Sequence, residues 1–270
     1  MDSPPDAPGL RATTCLGGAW QMACDDWLLQ QGQPAFRLYR WPRPTLSLGF
    51  HQRRIPAHWL ELARSGRVEL VRRPSGGAAV LHGFGLTYAL VWPTPPSQRP
   101  QAYRQACLWL QEAFAALGQP LAFGDRPAGL GGAHCFARST AADLVDGCGR
   151  KRVGSAQLWR GGRLLQHGEI LLQPPADLWQ ALFAAPTPQL PPLNLDPEAL
   201  EAHLLAVAGQ ALPAALRQGW GGGRPQPWRA GELAAIAGLL GRYRLAPDAS
   251  LASPEASIDC TTWGRARPSG

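Results

Sequence analysis

LVDGCGRKRVGSAQLWRGGRLLQHGEILLQ, residues 144–173, holds two glycine turns inside apolar segments that alternate with polar residues. The first turn falls at Asp146–Gly149 and the second at Gly161–Gly162, and tight hairpins demand glycine at such places because their central residues take positive φ. Three successive antiparallel strands therefore run through this stretch. Upstream, helical and strand patterns alternate. AWQMACDDWLLQQ (19–31) has helical spacing, AFRLYRWP (35–42) and TLSLGF (45–50) read as strands, RIPAHWLELARSG (54–66) as a short helix and VELVRR (68–73) as a strand. VLHGFGLTYALVWP (80–93) supplies a further strand after a bend, and QAYRQACLWLQEAFAAL (101–117) a long amphipathic helix stopped by Gly118. Mixed elements that end in hairpins predict an α/β (α+β) fold, with a mixed, largely antiparallel β-sheet flanked by helices.

From about residue 174 the texture changes. A proline-rich stretch separates helical patterns, and helices are expected over 197–216 and 231–245. The expected organisation is a catalytic-type unit over 15–190, a helical C-terminal segment over 191–245 packed on it, and a flexible tail over 246–270. The chain of 270 residues, 45% hydrophobic and 17% charged, has the composition of a folded protein with a real core. Its net charge of +7 favours acidic partners. No block of clustered arginine with interleaved aromatics appears, so no nucleic acid partner is expected. No apolar run approaches a membrane span and no export signal is evident, so the expectation is a cytoplasmic protein with no membrane partner. Six cysteines without CxxC spacing read as reduced thiols, and no metal site is expected.

The first hairpin also carries Lys151. Of the 26 basic residues it is the only lysine, with Arg150 and Arg152 on either side. Coding bias accounts for the arginines but not for the place of the exception. An ammonium is a compact donor whose proton can leave, whereas guanidinium is a wide fork that stays charged. After Lys151 come Gly154, Ser155, Ala156 and Gln157, where small residues leave room for a ligand. His167 and Gly168 follow on the next strand.

VRRPSGGAAVLHG (71–83) sets Arg72 and Arg73 before Ser75, Gly76, Gly77 and Ala78, with His82 beyond. Paired glycines let backbone N–H groups approach an anion or carbonyl oxygen. The same stretch is equally an ordinary glycine-rich hairpin with surface arginines, and either histidine alone is as readily structural. Cys135 lies in a loop beside His134 and Arg138, ahead of Lys151. A free cysteine is usually a small buried hydrophobe, but this setting, with Lys151 on the next strand, allows a lowered pKa and a nucleophilic thiolate.

Taken together, RRPSGGAAVLH (72–82), KRVGSAQ (151–157) and QHGEILL (166–172) resemble the biotin/lipoate protein ligase family, in its lipoate ligase and octanoyltransferase branch. The resemblance implies a class II synthetase-like catalytic domain with a tunnel for a medium-length acyl chain. It also implies Cys135 and Lys151 as catalytic residues, with Arg72, Arg73, Ser75, Gly76, Gly77, Ala78, His82, Gly154, Ser155, Ala156, Gln157, His167 and Gly168 binding substrate. Lys151 takes the place of the lysine that contacts the acyl carbonyl. The implied reaction moves an octanoyl group from acyl carrier protein, through a cysteine thioester, to a lysine of a lipoyl domain or glycine cleavage H protein, with no cofactor. Ala78 stands where ATP-dependent ligases tend to carry a third glycine. A ligase would use ATP and Mg²⁺ through an acyl-adenylate. A non-catalytic acyl- or carrier-binding member is the other alternative. Glu169 stands where the family usually has serine.

Overall fold

The computed structural model describes residues 9–124, 143–218, 220 and 223–245. In chain order its strands are β1 (Gly9–Cys15), β2 (Ala35–Arg40), β3 (Thr45–Leu48), β4 (Glu69–Arg72), β5 (Val80–His82), β6 (Gly85–Trp92), β7 (Ala122–Phe123), β8 (Leu144–Val145), β9 (Lys151–Arg160) and β10 (Arg163–Leu171). The helices are α1 (Gly18–Gln31), α2 (Ala57–Arg64), α3 (Arg99–Ala116), α4 (Ala176–Phe183), α5 (Pro197–Ala211), α6 (Ala214–Arg217) and α7 (Ala230–Ala237).

Seven strands form one sheet in the order β1-β2-β6-β10-β9-β8-β7, antiparallel throughout except for the parallel β1–β2 pair. A second sheet of three strands runs β4-β3-β5. The mixed, largely antiparallel architecture flanked by helices is the one expected. Period-two alternation gives the large sheet two buried faces. Phe36, Leu38, Leu86, Tyr88, Leu90 and Ile170 join the core under α3 and α5. Ala35, Tyr39, Ala89, Val91 and Leu165 face the core under α1 and α7. The small sheet packs with α2 and α4 in a third cluster around Trp59 and Trp179.

Three local expectations are corrected. The 80–93 strand is two strands in different sheets, because Gly83 turns with φ +101° between β5 and β6. The 197–216 helix breaks at Pro213, which cannot continue the helical hydrogen-bond ladder. Cys15 is disulfide-bonded rather than a reduced thiol, a pairing that sequence spacing does not reveal. Cys24, Cys107 and Cys148 are free. Residues 246–270 lie outside the described residues, as does Cys135.

Candidate active site

β9 and β10 pair so that Gly154 faces Glu169 and Ala156 faces His167, while β6 places Thr87 and Ala89 on the other side of the same two rows. Glycine and alanine on β9 leave space above this part of the sheet. α1 and the small sheet roof that space, leaving a small cavity between them. Its lining includes Met22 and Tyr39, then Ser47, Arg73, Val80 and His82 from the small sheet and its loop, with Thr87, Gly154–Ala156 and His167–Glu169 as the floor.

Beside the cavity, Ser75 Oγ is 2.5 Å from His167 Nε2, and His167 Nδ1 is 2.7 Å from Asp25 Oδ2. Asp25 comes from the interior of α1 and also accepts from Arg37 at 2.6 Å and from Tyr39 OH at 3.1 Å. Burial opposes the Asp25 charge, but Arg37, aided by the bond from His167, outweighs it and holds the carboxyl below its ordinary range. A carboxylate only accepts, so His167 donates from Nδ1 to Asp25, which fixes the ring that meets Ser75 through Nε2.

On the neighbouring row, His82 Nδ1 is 2.7 Å from Glu169 Oε2, and His82 Nε2 is 2.8 Å from Ser47 Oγ. Thr87 Oγ1 donates to Glu169 Oε2 at 2.5 Å, and Trp41 Nε1 donates to Thr87 Oγ1 at 2.7 Å. The His82 ring stacks on Trp41 with centroids 4.1 Å apart. Burial, which outweighs the pull of Glu169, keeps His82 below its ordinary pKa, so the imidazole is neutral.

The arginines of the RRPSGG stretch shape two loops. Arg73 donates to Gly76 O at 2.8 Å, Ala78 O at 2.7 Å and Ser47 O at 2.9 Å, drawing the loop carbonyls inward. The N–H groups of Gly76 and Gly77 donate to no acceptor among the described residues. Gly77 takes φ +96°, and a Cβ on Gly49 would lie 1.9 Å from Gly77 O, so the two loops meet only because both positions are glycine. Arg72 turns away from the cavity, donating to Gly49 O at 3.0 Å and Gln52 O at 2.8 Å.

Ser155 and Gln157 hydrogen-bond on the α3 face of the sheet. Ser155 Oγ meets Tyr88 OH at 2.7 Å, and Gln157 donates to Gln166 at 2.8 Å. Gln157 thus braces the strand pair from behind. Lys151 is buried at the start of β9 with its Nζ 2.8 Å from Asp143 Oδ1, and it is not among the residues lining this cavity. Burial pushes the Cys24 thiol up to about 12 and the Cys107 thiol up to about 11, so neither is a thiolate at neutral pH. Cys148 is exposed at its turn. Among the described residues, no group of three or more His, Cys, Asp or Glu side chains is placed to hold a metal, and no helix is long and apolar enough to cross a membrane.

Reasoning from the sequence missed Asp25, Arg37, Tyr39 and Ser47. A signal was available for the first: Asp25-Asp26 sits in an otherwise apolar helix, and a buried carboxylate needs a cationic or hydrogen-bonding partner.

The whole arrangement, from Asp25 to Glu169, falls inside residues 18–189, the span matched by the model of the lipoyl protein ligase A/B catalytic domain. The chain belongs to this family. A Carboxydothermus hydrogenoformans protein named octanoyltransferase LipM is 38% identical over 180 residues, covering 60% of this chain and 64% of that protein. The chain therefore spans a little under two thirds of that relative's length. Among solved structures, a lipoate-protein ligase A bound with ATP matches with a TM-score of 0.67 at 15% identity, covering 86% of this chain and 95% of that one. A bi-partite lipoate protein ligase from Thermoplasma acidophilum, studied with its E2 lipoyl domain, matches with a TM-score of 0.55 at 18% identity over 87% of this chain and 93% of that one. At these identities the structural likeness is one of fold.

Proposed function

We propose that this chain is an octanoyl transferase that moves a medium-chain acyl group from an acyl carrier thioester to a lysine of a lipoyl-carrier protein. The observation that carries this reading is the cavity over Gly154 and Ala156, with the Ser75 loop held beside it through His167. It lies beside backbone donors suited to an acyl carbonyl. In the first half-reaction the Cys135 thiolate attacks the thioester carbonyl and the carrier thiol leaves. In the second, the acceptor amine attacks the acyl-cysteine, an amide forms and the Cys135 thiol is restored.

The N–H groups of Gly76 and Gly77 bind the carbonyl oxygen as it gains charge. This reading also assigns Lys151, which pairs with Asp143 at the start of β9 outside the cavity lining, as a compact cationic donor to the acyl carbonyl. His167, fixed by Asp25, holds Ser75 and with it the start of this loop. Neither half-reaction consumes ATP, and Ala78 in place of a third glycine supports the transferase over the ligase.

The donor is an acidic carrier protein. Phe50, His51, Arg53 and Arg54 are exposed on the loop that abuts Gly77, and neither Arg53 nor Arg54 makes an ion pair among the described residues. Such a cationic strap beside the Gly77 loop favours an acidic partner.

Incubation with octanoyl-carrier and no acceptor tests the reading. One octanoyl mass on Cys135, lost on treatment with neutral hydroxylamine, is expected. Absence of that adduct, together with acylation of acceptor only when ATP is supplied, would establish the ligase instead.

A further inference from the structure

The Ser75–His167–Asp25 line ties the loop to β10 and α1, and the Ser47–His82–Glu169 line ties β3 and β5 to β10. Both lines cross the space between the two sheets, and His167 and Glu169 stand two residues apart on the same face of β10, about 7 Å along the strand. The loop lies at the His167 line. An acyl chain whose carbonyl rests on the loop therefore runs toward the second line. There the neighbours of Glu169 across β6 and β9 are Thr87 and Gly154, so Glu169 is the long side chain of its row and reaches the small sheet.

Glu169 is also fixed. It is 2% exposed, its Oε2 takes bonds from His82 and Thr87, and those partners are held in turn by stacking on Trp41 and by the Trp41 Nε1 donor. An apolar chain end offers no hydrogen bond to replace them, so pushing the carboxyl group aside leaves buried polar atoms without partners.

We propose that the Glu169–His82 crossbar is the ruler of this site, the specificity-determining element that sets how long an acyl chain the cavity accepts. The proposal rests on the acyl-transfer reading above. Shortening residue 169 extends the cavity toward β5, whereas an isosteric change leaves its length as it is.

The test measures transfer of C6, C8, C10 and C12 acyl groups from carrier thioesters to a lipoyl domain, comparing kcat/KM for wild type, Glu169→Ser, Glu169→Asp and Glu169→Gln. One methylene in a fitted apolar pocket changes discrimination by about 10-fold or more. The C10-to-C8 ratio is expected to rise by about 10-fold or more in Glu169→Ser, to rise by less in Glu169→Asp, and to stay at the wild-type value in Glu169→Gln. Thermal melts of each variant show whether it folds. If Glu169→Ser does not, the Glu169→Asp ratio decides, since aspartate keeps a carboxylate for His82 and Thr87. Unchanged ratios in folded Ser and Asp variants overturn the ruler while leaving the transferase intact. A wild-type protein that transfers no acyl group of any length overturns the transferase reading itself.

Discussion

His167 Nδ1 lies 2.7 Å from Asp25 Oδ2, and through that bond helix α1 holds strand β10 and the Ser75 loop in one arrangement. Asp25 is also the counter-ion of Arg37, and both side chains are fully buried. Asp25→Ala strands a guanidinium in the core and is expected to cost about 3–5 kcal/mol. Asp25→Asn keeps an acceptor for Arg37 and costs less. Urea unfolding midpoints at constant slope check both values.

The lone lysine carries a separate prediction. Lys151→Arg keeps the charge near Asp143 but replaces a compact donor by a wide fork. Acyl transfer is expected to fall about 10²-fold, the scale of losing one oxyanion donor, with a smaller change in stability. Single-turnover acylation of a lipoyl domain reads the first, and a thermal melt reads the second.

Acid destabilises the fold through groups already named. Burial, which outweighs Glu169, holds His82 below its ordinary 6.5, and Arg37, overcoming burial, holds Asp25 below 3.8. In both cases the unfolded chain binds more protons, so stability falls as pH falls. The loss begins as pH drops through about 6.5, where unfolded His82 protonates, and grows below about 4, where unfolded Asp25 does so. Unfolding free energies measured between about pH 7.5 and 5.5 should decline in wild type and decline less in His82→Asn.

Much of the site was legible because its parts are local. Glycine turns gave the β8–β9 and β9–β10 hairpins, and small residues at Gly154 and Ala156 marked a strand pair with room above it. What escaped was long-range. β1 pairs in parallel with β2, an arrangement that no short-range pattern in GLRATTC announces. The partner of His82 lies 87 residues away at Glu169, and that of His167 lies 142 residues away at Asp25. Arg72 and Arg73 look alike in sequence, yet only Arg73 faces the cavity, because adjacent residues leaving a strand point in opposite directions. Whether a polar residue serves the loop or the cavity is decided by packing.

The loop at Phe50 makes the docking surface testable. The double variant Arg53→Glu, Arg54→Glu is expected to raise KM for octanoyl-carrier about 10-fold at low salt and to leave kcat near wild type. The difference should shrink as ionic strength rises, because exposed charges are screened. Octanoyl-pantetheine, which lacks the acidic protein, should show no such change. A matching rise with the small donor would place these arginines in the chemistry, not in docking.

The most direct test of the central claim is mass spectrometry of a lipoyl domain incubated with this protein and octanoyl-carrier, with and without ATP. A transferase adds one octanoyl mass to the acceptor lysine equally in both samples, and Cys135→Ala abolishes the addition. Octanoylation that appears only with ATP and survives Cys135→Ala would contradict it.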